Sequence, residues 1–158
     1  MAPDFVYVSY IRTDPETLFK ALMDPAFTKQ YFFGVQYDTD WKAGSKIHNT
    51  DGAGRRSLWG SVVRVEPPKL LSYTFDGPAH GTEAGRPTLA TFEIQPHGDG
   101  VRLYLTHSQL EAQDWDARKD TFHGLNNGWP AILSSLKSLL ETGKALTFNP
   151  MDGKGEYI

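Results

Sequence analysis

Five histidines, His48, His80, His97, His107 and His123, are the side chains best suited to ligating a metal or moving a proton near neutral pH. They are dispersed, without an i, i+4 pair, a carboxylate companion or a cysteine to complete a ligand set. No metal site is expected from this spacing, and no other cofactor. The run Gly52-Ala53-Gly54-Arg55-Arg56-Ser57 comes near a dinucleotide-binding glycine signature, but Ser57 replaces the third glycine and the run lies between two strand-like segments. It reads as a hairpin turn. Gly143-Lys144 lacks the earlier glycine of a phosphate-binding loop, and no serine sits in a nucleophile-elbow context. Nothing in these patterns demands catalysis, and no catalytic residue is assigned.

Two polar side chains stand out because their neighbours are apolar. His107 shares a strand face with Leu103 and Leu105, where a half-desolvated imidazole could orient a ligand or carry a proton. The plainer reading is a core-edge histidine bonded to a backbone carbonyl. Tyr73 shares a face with Leu71 and Phe75, and its hydroxyl either points into a cavity or meets a nearby backbone partner. Trp129 is a core residue that could also wall a pocket. Phe32, Phe33 and Trp41 either line an opening or pack against short helices.

The element that must hold these groups is near the C-terminus. Phe122, Leu125, Trp129, Ile132, Leu133, Leu136, Leu139 and Leu140 recur at steps of three and four, which places them on one face of an amphipathic helix. Thr142-Gly143 ends it where a left-handed cap favours glycine. At the near end, Pro130 lacks a backbone donor and its ring crowds the carbonyl of Asn126. Either the helix starts near Asn127, with Pro130 in its first turn, or it starts near Asp116 and bends between Gly128 and Pro130. The stripe through Phe122 and Leu125 favours the bent helix.

Upstream, residues 5–12 are β-branched and aromatic and read as a strand. Asp14-Pro15 marks a helix start, with Leu18, Phe19 and Leu22 on one face. Asp24-Pro25 interrupts it, and a second short helix over residues 26–31 follows. Residues 35–39, 46–49, 58–65, 70–75, 88–94 and 101–107 are strand candidates, separated by turn sequences that favour antiparallel pairing. Residues 76–87 form a longer Gly/Pro-rich connection and a candidate rim for a site. Alternation places Leu71, Tyr73 and Phe75 on one face, as it does Ala90, Phe92 and Ile94, and Leu103, Leu105 and His107. The order is α+β, with one antiparallel sheet covering one long helix.

A chain of 158 residues with no cysteine fits one domain, here residues 1–146, followed by a tail over residues 147–158 that is expected to be mobile. No stretch approaches the ~20 apolar residues of a membrane span, and no basic leader is visible. A cytoplasmic protein is the default. The net charge of -3 and pI near 5.9 supply no basic face for nucleic acid.

Several segments together resemble one superfamily: Ile11-x-Thr13-x-Pro15-Glu16-x-Leu18-Phe19-x-Ala21-Leu22, Gly60-x-Val62, Val65-x-Pro67-Pro68-x-x-Leu71, Thr106-His107-Ser108 and Gly128-Trp129-x-x-x-Leu133-x-x-Leu136. The chain is similar to the SRPBCC (START-like) superfamily, in its bacterial branch resembling the C-terminal domain of the heat-shock-protein-90 ATPase activator. This resemblance implies a helix-grip fold: a curved seven-stranded antiparallel sheet around the C-terminal helix, two short helices after the first strand, and an apolar cavity between helix and sheet. It does not imply one activity. The leading expectation is binding of a small hydrophobic or aromatic molecule, such as a lipid, polyketide or flavonoid-like compound. The candidate cavity residues are Phe33, Trp41, Tyr73, Phe75, Phe92, Leu105, His107, Trp129 and Leu133. A cyclase- or hydrolase-type enzyme is the alternative. A chaperone-linked interaction protein ranks last, because the animal and fungal activators use an additional N-terminal domain and this chain starts at its first strand.

Overall fold

A computed structural model describes residues 1–76 and 86–147. Strand β1 (Phe5–Ile11) is followed by helices α1 (Pro15–Met23) and α2 (Pro25–Tyr31). Strands β2 (Gln36–Asp38), β3 (Lys46–Thr50), β4 (Arg56–Glu66), β5 (Leu70–Phe75), β6 (Thr88–His97) and β7 (Gly100–Ser108) come next, and helix α3 (Leu125–Thr142) closes the series. Helix α1 starts at the expected Asp14-Pro15 signal, and α2 starts one residue before its expected bound, at the Asp24-Pro25 pair read as an interruption. Asp14 accepts from the Thr17 amide at 2.8 Å and Asp24 from the Ala26 amide at 2.9 Å, with a proline opening each helix.

All seven strands form one antiparallel sheet in the order β1-β7-β6-β5-β4-β3-β2. Its register aligns the apolar sets read from alternation: Tyr73 lies opposite Ala90 and Ala90 opposite His107, while Leu71 lies opposite Phe92 and Phe92 opposite Leu105. These residues are buried on the face that covers α3. The antiparallel sheet around a C-terminal helix, with two short helices after the first strand, is the helix-grip arrangement. On β4, Gly60 answers a close approach, since a Cβ there would lie 1.9 Å from the Thr74 carbonyl oxygen.

One face of α3 buries Leu125, Trp129, Ile132, Leu133, Leu136 and Leu139, the stripe expected from the spacing. Gly143 caps the far end at φ 82°, its amide donating to the Leu139 carbonyl at 2.9 Å. The near end corrects the bent-helix expectation. No helix runs from Asp116; α3 begins at Leu125, closer to the shorter reading, and Pro130 lies in its second turn. Gly124 breaks the helical path at φ 79°, in a spot where a Cβ would lie 2.5 Å from the Asp116 nitrogen. Asn126 then clasps Asp116 by accepting from its amide at 2.9 Å and donating to its carbonyl at 2.8 Å. Asn127 donates to the His123 carbonyl at 2.8 Å. Side-chain bonds thus hold the preceding segment against the first turn of α3, where a continued helix would need backbone ones.

At its other end α3 ties down β1. Lys137 donates to the Tyr10 carbonyl at 2.5 Å, and Glu141 accepts from the Arg12 amide and from Lys137, each at 2.8 Å. These bonds, Lys137 foremost, hold the Glu141 carboxyl below the usual carboxylate range. The expected tail lies outside the described residues from position 148 on, as do residues 77–85 of the candidate rim and His80 with them.

Candidate functional site

The site is built from rings. Trp129, projecting from α3, meets Phe75 of β5 and Phe92 of β6 at centroid distances of 5.7 Å each, and Phe32, just after α2, at 6.1 Å. Phe92 continues to Tyr73 at 5.9 Å, and Tyr73 to Tyr37 at 5.9 Å and Trp41 at 6.1 Å. Trp59 closes the group against Phe75 at 5.0 Å, Tyr37 at 5.1 Å and Phe32 at 5.6 Å. Most of these pairs are edge-to-face or tilted, the geometry that aromatic quadrupoles favour. Rings therefore run in sequence from the sheet interior to Trp41, which is only half-buried.

Two sets of polar contacts in this interior involve the candidate cavity residues. His107 Nδ1 lies 3.0 Å from the Trp129 indole nitrogen, and His107 Nε2 lies 2.7 Å from the Thr88 hydroxyl. Indole N–H can only donate, so Nδ1 accepts; the neutral ring then carries its proton on Nε2 and donates to Thr88. His107 is thus a buried histidine tied to two side chains, rather than to the backbone carbonyl of the plainer reading. The second is the Tyr37–Tyr73 hydroxyl pair, 3.1 Å apart. Burial pushes the Tyr73 hydroxyl pKa above its ordinary value, so this group stays a neutral hydrogen-bonding group.

The ring series reaches the surface at a groove of about 400 Å³, lined by residues of α1, the α1–α2 corner, β2 and Trp41. Trp41 adopts φ 57° and Phe33 φ 52°, the left-handed region that large side chains seldom occupy. The turn carrying Trp41 is pinned to β4, since the Gly44 amide donates to the Val62 carbonyl at 2.8 Å and the Val62 amide to the Ser45 carbonyl at 2.9 Å. Strain held in place by surrounding bonds is a recurring property of functional rims.

Of the nine candidate cavity residues, Tyr73, Phe75, Phe92, Leu105, His107, Trp129 and Leu133 are buried, each 2% exposed or less, around the contact between α3 and the sheet. Trp41 stands at the mouth, and Phe33 packs partly buried at the turn after α2. Phe32, weighed in the sequence as lining an opening or packing the short helices, belongs to the same cluster, as do Tyr37, Trp59 and Thr88, which spacing did not single out. Phe32 was visible as one of two adjacent aromatics, but spacing could not say which of the pair turned inward. Among the described residues no three histidines or acidic residues gather as a metal site, and no helix is long and apolar enough to cross a membrane.

The family model for Activator of Hsp90 ATPase homolog 1-like protein matches residues 12–141. Among solved structures, protein MLL2253 from Mesorhizobium loti is similar at 25% identity and a TM-score of 0.68, over 87% of this chain and 96% of that one. The Aha1 dimer from Colwellia psychrerythraea is similar at 22% identity and a TM-score of 0.68, over 91% and 100%. CalU16 from Micromonospora echinospora is similar at 17% identity and a TM-score of 0.70, over 98% and 75%. The latter two likenesses bear on the fold alone. No curated protein matches the sequence.

Proposed function

The chain belongs to the activator of Hsp90 ATPase homolog 1-like family, and on that premise we propose that residues 1–146 form a domain that binds a small apolar or aromatic molecule, such as a lipid, polyketide or flavonoid-like compound, between α3 and the sheet. The observation that carries this reading is the ring series from half-buried Trp41 through Tyr73 and Phe92 to Trp129. Its walls are Tyr73, Phe75, Phe92, Leu105, Trp129 and Leu133, with Phe33 and Trp41 at the rim. A flat ligand entering past Trp41 exchanges ring-ring contacts, worth about 0.5–1.5 kcal/mol each, for equivalent contacts with its own faces, and adds its burial from water. The Tyr37–Tyr73 hydroxyl pair is the group placed to orient it. His107, with both ring nitrogens engaged, acts as support for Trp129 and gives little backing to a cyclase or hydrolase role.

The test is a titration with fatty acids, flavonoids and aromatic polyketides, read by tryptophan fluorescence and amide nitrogen shifts. Saturable shifts at Tyr73, Phe92 and Trp129 are expected. Phe92→Trp blocks binding by filling the space, while Trp129→Phe retains the fold and most binding. Shifts confined to the outer surface would refute the reading. A chaperone-linked role is the second reading, favoured by the family's description; it requires the purified chain to raise the ATPase rate of an Hsp90 chaperone.

A further inference from the structure

The groove beside Trp41 carries three charged side chains, Lys20, Asp24 and Asp38, among apolar walls that include Met23, Tyr37 and Trp41. Both carboxylates are engaged. Asp24 caps α2 through the Ala26 amide at 2.9 Å, where the positive end of the helix complements its charge. Asp38 pairs with Arg56 at 2.9 Å. Lys20 is exposed, and its side-chain ammonium has no hydrogen-bond or ion-pair partner among the described residues. It is a cation left unpaired on the lip of an aromatic-walled groove. Tyr37 and Trp41 are shared between this groove and the interior, because each also packs on Tyr73, at 5.9 and 6.1 Å.

We propose that the ligand is a monocarboxylate, a flat aromatic or long aliphatic acid, whose apolar body lies along Trp41 towards Tyr73 and whose carboxylate meets the Lys20 ammonium in the groove. This rests on the apolar-ligand reading above and adds the polar end. The apolar body alone does not choose between an acid, an alcohol and an amide; the unpaired cation does. Lysine suits this role as a point charge on a flexible stem that can lie along the wall while its head stays in water. The acidic side chains on the same rim set the charge of the ligand, for Asp24 and Asp38 repel a dianion such as a phosphate monoester more than a single carboxylate.

The test uses matched probes, 2-naphthoate against 2-naphthamide and decanoate against decanamide, titrated by calorimetry and amide nitrogen shifts against the full chain. The carboxylates are expected to bind about 3- to 10-fold tighter than the amides, the scale of a partly exposed ion pair, with a difference that shrinks as salt is raised. Lys20→Gln, with its amide spectrum confirming the fold, abolishes that difference and leaves amide binding unchanged; Lys20→Arg restores it. Equal affinities for acid and amide, or an acid preference that survives Lys20→Gln, would overturn this inference while leaving the apolar-ligand reading intact. Tighter binding of 2-naphthyl phosphate than of 2-naphthoate would overturn the monoanion assignment. If none of the probes binds, the apolar-ligand reading fails and this inference fails with it.

Discussion

The indole nitrogen of Trp129 and Nδ1 of His107 are 3.0 Å apart in the core, a hydrogen bond that joins α3 to β7 across the face where the helix meets the sheet. Thr88 holds the far side of the imidazole at 2.7 Å, so three elements share one polar link among the rings. Burial of all three groups makes the link costly to break from one side, because the abandoned partner cannot turn to water.

His107→Phe should therefore destabilise the protein by about 1–3 kcal/mol, the cost of an unpaired buried donor, with Trp129→Phe costing a similar amount through the orphaned acceptor. The double variant should cost less than the sum of the two. Urea denaturation of the four proteins checks this, and additive costs would mean that the bond contributes nothing. Long-range nitrogen spectra should also report neutral His107 with its proton on Nε2.

Leu136 is fully buried at the centre of the α3 stripe. Leu136→Ala should cost about 2–5 kcal/mol, the range for emptying a packed leucine site. A loss below ~0.5 kcal/mol in chemical denaturation would contradict the packing.

Gly60→Ala is expected to be severe although the added group is a single methyl. That methyl would lie 1.9 Å from the Thr74 carbonyl oxygen, and backbone cannot swing aside as a side-chain end can. The β4–β5 pairing has to shift, so amide exchange should rise along Leu70–Phe75. Unchanged protection there would sink the claim.

Asp116 supplies the pH dependence. Its hydrogen bond to the Arg118 side chain, followed by the Arg118 amide, lowers its pKa to about 2. A carboxyl whose folded pKa lies below its unfolded one, near ~3.9, contributes stability that is present above the unfolded value and is lost as pH falls towards the folded value. Denaturation midpoints between about pH 4 and pH 2 should therefore fall less steeply in Asp116→Asn than in the parent. Parallel curves would remove Asp116 from the account.

How far the chain could be read varies with the range of the interactions involved. Alternation along β5, β6 and β7 was legible because each is paired on both sides, which keeps a strict two-residue period. The start of α1 was legible because Asp14-Pro15 acts on its own next turn, and the same local action at Asp24-Pro25 sets the start of α2 within one residue of the expected bound. The start of α3 was not legible: Phe122 continues the apolar spacing, but Gly124 and the Asn126 clasp on Asp116 override it from ten residues away. Trp59 was missed because β4 breaks alternation, burying Trp59 and Gly60 in succession, and its pairing with β5 slips between Val62 and Arg64. Tyr37 sits in a three-residue strand, too short for a period to show. The partners of His107 are 19 and 22 residues distant in the chain, so spacing could place the imidazole on the inner face without naming what it bonds.

The bonds from Lys137 and Glu141 to the backbone of β1 also bear on what happens when molecules crowd together. An open sheet ends in two strands whose outer amides and carbonyls can recruit a strand from a neighbouring molecule, the first step of fibril growth. Here the β2 end offers only three residues, and the β1 end has its Tyr10 carbonyl and Arg12 amide already taken by charged side chains of the same chain. A stacking neighbour would have to displace an ammonium and a carboxylate before its own backbone could pair at that corner. Next to that corner β1 exposes Val6, Val8 and Tyr10, so Lys137→Ala combined with Glu141→Ala is expected to make the chain aggregate more readily than the parent, as light scattering would show.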